Sequence, residues 1–363
     1  MAQAEGREHS DNTAGANTAG AVDAFDTGPA DLLFAQASLL EVALAAPLST
    51  ILKERSQDKR AYHPATLSYI EAGNFDNRGA RVELVAGVRT RGNFRRDRST
   101  CRFPPLQLNL ARKQMGTTLE NSTFKGQNKL KLVTHCRSSR KFDDLLLKEY
   151  LAYRIFNLVT NASFKVRLLR VSYHDTEGKV KDTTRYGFFI EPKKSLARRT
   201  GASIEKIARV NPADLESHQA SLVEVFEYLI GNTDWSMLRG PAGEDCCHNL
   251  VLLRPRQQTL LPVPYDFDHA GLVNAPYAEP NEQLGIRSVR KRLFRGRCRK
   301  PDILAAALSV YSDTKADTMA LVQEQQHLSE RSRNTALKYL AAFYDVIEDT
   351  QRMRRELIDK CRG

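Results

Sequence analysis

An aspartate, an asparagine and an Asp-x-Asp pair follow one another in the second half of the chain, each at the edge of a short apolar run. Gly231-Asn232-Thr233-Asp234-Trp235 comes after an apolar segment, and Asp245-Cys246-Cys247-His248-Asn249 precedes Leu250–Leu253. Tyr265-Asp266-Phe267-Asp268 then closes the run Leu260–Val263. Two strands joined by a turn near Arg254–Gln258 would bring Asn249 and Asp266 to neighbouring ends of a hairpin. Their carboxamide and carboxylate oxygens, with Asp268 beside them, are hard ligands suited to Mg²⁺ or Mn²⁺ shared with phosphate oxygens. Asp234, on the loop before the hairpin, is placed to accept or orient a hydroxyl proton during phosphoryl transfer. Any one of these residues alone reads as a cap or a turn. Their order, with short strands between them, favours a metal site.

The first half offers a complement. In Lys129-Leu130-Lys131-Leu132-Val133 both lysines fall on one strand face and the leucines on the other, and the helix that follows carries Glu149. A strand lysine paired to a helix glutamate can reach nucleotide phosphates. Which lysine does so stays open, because Lys129 and Lys131 share a face.

In this order the pieces resemble the CotH-type spore-coat kinases, an atypical branch of the protein-kinase-like fold. The resemblance rests on Thr90-Arg91-Gly92-Asn93, Lys129–Leu132, Leu147–Tyr153, Tyr186–Glu191, Asp234-Trp235, His248-Asn249 and Pro264–Asp268, spanning roughly residues 82 to 270. It implies an α+β, two-lobed fold with a β-rich N-terminal lobe holding one main helix, and a mainly helical C-terminal lobe. It also implies ATP with Mg²⁺ or Mn²⁺ as cofactors and a protein hydroxyl as phosphate acceptor. Asp234 would be the catalytic aspartate, and Asn249, Asp266 and Asp268 the metal ligands. Lys129 or Lys131, Glu149, Glu191 and Arg91 would hold the nucleotide, Glu191 beside the adenine. The chain departs from the pattern in having no Gly-x-Gly-x-x-Gly loop, no His-Arg-Asp, and a long interval from Asp234 to Asn249. An inactive nucleotide-binding scaffold is therefore the alternative to an active phosphotransferase.

Stepwise patterning supplies the elements that must position these groups. Short β-type runs are expected at Leu39–Leu44, Ala65–Glu71, Val82–Val88, Leu106–Leu110, Lys129–Val133, Lys165–Tyr173 and Tyr186–Ile190, separated by turn residues. Leu147, Leu151, Ile155 and Leu158 recur at helical spacing, with Asp143 or Asp144 as cap. Helices are expected around Ala202–Val210, Leu222–Ile230, Ile303–Tyr311 and Thr335–Lys360. The expected division is a disordered leader at 1–28, a β-rich lobe at 29–191 and a helical lobe at 192–363.

The 363 residues carry a net charge of +12 and a pI near 9.4, which favours acidic partners. Arg89–Arg102 holds six arginines and Arg287–Lys300 eight basic residues. Such runs are more often solvated faces than phosphate contacts. No nucleic-acid-binding module is matched, so nucleotide rather than nucleic acid is the expected anion, with anion or nucleic-acid binding through the arginine runs kept as a third reading. The run Leu32–Leu52 is too interrupted to cross a membrane. No signal peptide opens the chain, although Met-Ala-Gln-Ala-Glu would suit a mature N-terminus of an extracytoplasmic protein. Six cysteines in this length do not read as a disulfide framework. Cys101 and Cys136, flanking neighbouring strands, could pair in an oxidising compartment, and adjacent Cys246 and Cys247 read against a zinc site.

Overall fold

The computed structural model describes residues 31–56, 60–71, 79–110, 118–256 and 258–363. The leader expected at 1–28 lies outside the described residues.

Alternation of apolar and polar residues builds the first half. After two one-turn helices, α1 (Leu32–Ala35) and α2 (Leu48–Ile51), which flank β1 (Leu40–Ala46), come β2 (His63–Glu71), β3 (Ala80–Thr90), β4 (Leu106–Leu110) and β5 (Lys129–Val133). Helix α3 (Lys141–Val159) intervenes before β6 (Val166–Asp175) and β7 (Thr183–Ile190). In β4 the leucines at 106, 108 and 110 are buried and Gln107 and Asn109 are half-buried, the period of two that a one-faced strand requires.

The expected two-lobed kinase-like fold is corrected by how these strands pair. They close into a seven-stranded barrel in the order β1-β2-β3-β4-β5-β7-β6. The closing pair, β1 with β6, is parallel and sets Leu40 opposite Leu169 through to Ala46 opposite Asp175. The other pairs of the barrel are antiparallel. Closure satisfies both edges of the sheet, and the barrel encloses a core that includes Leu44, Leu67, Leu84, Leu108, Leu130 and Phe189. Local alternation marks each strand but says nothing of a partner more than a hundred residues away.

Beyond β7, α4 (Lys193–Arg199) leads into β8 (Ala202–Glu205), then α5 (Ser217–Ile230), β9 (Leu250–Pro255) and β10 (Leu261–Pro264). The helix expected at Ala202–Val210 is thus replaced by a strand: β8 joins the hairpin in a sheet of order β10-β9-β8. Helices α6 (Pro301–Asp313), α7 (Lys315–Gln323) and α8 (Glu330–Ile347) follow, and α9 (Thr350–Met353) continues as a π turn, Arg354–Ile358. The single helix expected over 335–360 is broken at Glu348 and Asp349, whose carboxylate caps the next segment through the N–H groups of Gln351 and Arg352.

Helix α3 joins the two parts. It buries nearly its whole length, with Leu147, Leu151 and Ile155 at most 1% exposed. Its Phe156 ring lies 4.5 Å from Phe226 of α5, and Tyr153 lies 4.5 Å from Phe267. The expected cap is not formed; Asp143 and Asp144 instead occupy its first turn, where a carboxylate favours the helix dipole. Asp143 binds Arg185 of β7, and Asp144 accepts from Ser329 and Ser332 at the start of α8.

Candidate metal and phosphate cleft

The Asp-x-Asp turn after β10 is set by the residue between its acids. Phe267 is fully buried against Tyr153 and Phe226, so alternation directs Asp266 and Asp268 to the other side. Asp266 and Asn249 both adopt left-handed backbone, at φ 68° and 55°, a conformation that Asp and Asn tolerate better than most residues. The Asp266 N–H donates to the Tyr153 hydroxyl at 2.8 Å, which fixes the turn to α3.

From α3, Glu149 reaches the same place. One carboxylate oxygen from each of Glu149, Asp266 and Asp268 lies within 4.8 Å of the others. Between them sits Arg95, on the 3-10 turn Phe94–Arg96. Its Nη1 is 2.9 Å from Glu149, its Nη2 2.8 Å from Asp266, and its Nε 3.2 Å from Asp268. Burial pushes the Glu149 and Asp268 carboxyls up against the pull of Arg95. Burial opposes ionisation of Asp266 too, but Arg95, Arg91 and Lys131 together hold it below the ordinary value.

The facing wall is the loop from Asp234 to Asn249. Backbone bonds between Ser236 and His248, at 3.0 and 3.1 Å, close this loop on itself. His248 Nε2 is thereby 2.6 Å from Asp234 Oδ1, and the Asn249 amide donates to the Asp234 carbonyl at 2.7 Å and carboxylate at 3.1 Å. The Asp234 N–H donates to Asn232 Oδ1 at 3.0 Å. Burial works against the Asp234 charge, yet the His248 bond holds its pKa below the usual range, and the same bond raises His248. Asn249 commits its amide nitrogen to Asp234, so any part in cation binding falls to its carboxamide oxygen.

Between these walls lies a cleft of about 320 Å³, at the small end of ligand pockets, lined by Arg91, Asp234, His248, Asn249, Asp266 and Asp268 among others. The two lysines differ. Lys129 is exposed on β5, whereas the Lys131 ammonium lies 5.2 Å from the Tyr265 ring centroid. Burial, with Arg91 and Lys193 nearby, pushes Lys131 down to about 7. The expected lysine–glutamate pair is not formed, because Arg95 takes Glu149. Glu191, expected beside a base, is 2% exposed and bound by Arg199 Nε and Nη2 and by the Lys165 N–H. It is not among the residues lining the cleft.

Arg95 is the member of this cluster that the sequence singled out only as part of a run. Its signal was its place in the 89–102 arginine run, where composition could not tell an inward guanidinium from a solvated one. The second run is also partly structural. Arg292 and Arg295 donate to backbone carbonyls, and Arg299 pairs with the buried Glu224. Cys246 and Cys247 are bonded to each other, so neither is a thiolate ligand for zinc. Among the described residues no helix is long and apolar enough to cross a membrane.

No family model matches the chain, and a search of the curated proteins finds no match.

Proposed function

We propose that the cleft binds ATP with Mg²⁺ or Mn²⁺ and transfers its terminal phosphoryl group to a hydroxyl, with a protein side chain as the acceptor. The observation that carries this reading is the pairing of the Asp234–His248–Asn249 wall with the Glu149–Asp266–Asp268 carboxylates across one cleft. The carboxylate set fits a hard divalent cation: three oxygen donors converge, and one guanidinium offsets only part of their charge. A cation held by Asp266, Asp268 and the Asn249 oxygen would supply charge neutralisation for the phosphates.

The chain's own groups do the rest. Arg91 lines the cleft and presents positive charge next to Asp266, and Lys131, which is not among the lining residues, adds to it in its protonated form. Asp234, kept ionised by His248, orients the acceptor hydroxyl and takes its proton. The hydroxyl oxygen then forms its bond to the terminal phosphorus as the bond to the leaving diphosphate breaks. Within the arginine runs, Arg95, Arg292, Arg295 and Arg299 are committed to protein groups, whereas Arg98, Arg102, Arg287, Lys291 and Lys300 are exposed, so the runs are part structural and part solvated face.

The test is incorporation of labelled phosphate from ATP with Mn²⁺ or Mg²⁺, into the chain itself and into model proteins. Asp234→Asn is expected to lower transfer by about 10²–10⁴-fold while leaving nucleotide binding in place. Asp266→Asn is expected to remove the metal-dependent rise in melting temperature that ATP gives the wild type. Absence of both transfer and any metal-dependent shift in the wild type overturns the proposal. A shift without transfer leaves the inactive nucleotide binder.

A further inference from the structure

Three carboxylates from two distant elements close on one buried guanidinium, and that guanidinium arrives on a short strap at the cleft mouth. Arg95 is 8% exposed and touches Glu149, Asp266 and Asp268 with three different nitrogens. A monovalent cation in the middle of three acids stands where a divalent ion would stand, at the end of a flexible side chain rather than free in solution. The strap that delivers it is anchored by Arg55 on the Arg96 carbonyl and is open to solvent at Gly92 and Phe94. Gly92 has φ 87° with nothing near the position of a Cβ, and Phe94 is 50% exposed, resting edge-on against His269 with Tyr277 beside it. Gly92, Asn93, Phe94 and Arg95 all line the same cleft as Asp234 and Asp266.

We infer that Arg95 is a tethered cation that occupies the Glu149–Asp266–Asp268 site in the resting protein and competes with a divalent metal for it. This rests on the proposed function only in naming the metal as the competitor. Removing a guanidinium from three acids leaves buried charge uncompensated, so the metal-free protein is destabilised and the site gains affinity for a divalent ion. An Arg95 that only pairs acids at a place no metal enters would give the destabilisation with no Mn²⁺ binding to offset it.

The experiment uses the full chain and Mn²⁺ alone, with binding followed by calorimetry or by the Mn²⁺ electron-spin signal. Arg95→Met is expected to lower the metal-free melting temperature, to bind Mn²⁺ at least about tenfold more tightly than the wild type, and to recover stability as Mn²⁺ is added. Adding Asp266→Asn to it is expected to abolish the gain. Equal or weaker Mn²⁺ binding by Arg95→Met overturns the inference. Should that variant not fold, Arg95→Met with Glu149→Gln is compared with Glu149→Gln alone, and no tightening there overturns it equally. The two proposals fail separately: a tighter Arg95→Met with no phosphate transfer by the wild type removes the kinase reading alone. Transfer by a wild type that binds Mn²⁺ as tightly as the variant removes the tethered cation alone.

Discussion

At the scale of single residues, burial decides which charges the fold tolerates. His135, between β5 and α3, is 4% exposed and packs against the Phe103 and Tyr173 rings. Burial, with Arg185 adding to it, pushes its pKa from 6.5 to about 3, so the folded protein holds it neutral. The unfolded chain binds a proton there first as pH falls. Stability is therefore full above 6.5 and is lost as pH drops from 6.5 towards the depressed value, by up to about 1.4 kcal/mol per unit. Replacing His135 with Gln is expected to flatten the loss of stability between about pH 6.5 and 4, measured by urea denaturation across that range. A slope equal to that of the wild type would show that other groups set the acid limit. Glu191 illustrates the same accounting for a paired charge. Glu191→Ala leaves the half-buried Arg199 with only the Asn161 and Ser163 carbonyls and is expected to cost about 1–3 kcal/mol, without a matching loss of nucleotide affinity, because Arg199 and Lys165 take its oxygens.

At the scale of elements, α3 governs the site. It carries Glu149 on one side and presents Leu147, Leu151 and Phe156 to a core shared with α5 and the Asp-x-Asp turn. Leu151→Ala, at a position 1% exposed, is expected to cost about 2–5 kcal/mol in denaturant titrations. The same change should weaken Mn²⁺ binding, since Tyr153 on that helix fixes the Asp266 backbone. A variant that loses stability but keeps its metal affinity would separate the helix from the turn. The hairpin of β9 and β10 was legible because its apolar runs are short and bounded by Pro and by the Arg254–Gln258 turn. The segment at Ala202–Glu205 was not, because its four residues suit either structure and only pairing with β9 makes it a strand.

At the scale of the whole molecule, the cysteines correct the sequence expectation that they form no disulfide framework: Cys101–Cys136, Cys246–Cys247 and Cys298–Cys361 use all six. The first bridges the segment after the Arg95 strap to the segment before α3, and the last ties the C-terminus to the stretch before α6. In the chain-entropy view each of these two long loops contributes about 4 kcal/mol through the unfolded state. A Cys298→Ser, Cys361→Ser pair is expected to lower the unfolding free energy from denaturant titration by about 4 kcal/mol, and thiol titration of the denatured, unreduced wild type to find no free thiol. Detection of two or more free thiols would contradict this pairing. The sequence by itself determined the strand and helix periods of most elements, the Asp234, Asn249 and Asp266 order, and the hairpin that joins two of them. These are local properties, written in side-chain alternation and turn residues. Only the tertiary structure decided that β1 closes on β6 into a barrel and that Glu149 meets Arg95 instead of a lysine. The reason is physical: each pairing joins residues far apart in the chain, and its partner is selected by which charges and edges the folded core leaves unsatisfied. Asp234, Asn249 and Asp266, first read together from their order, thus line one cleft, and the fold sets Arg95 among its carboxylates, a contact that spacing alone did not disclose.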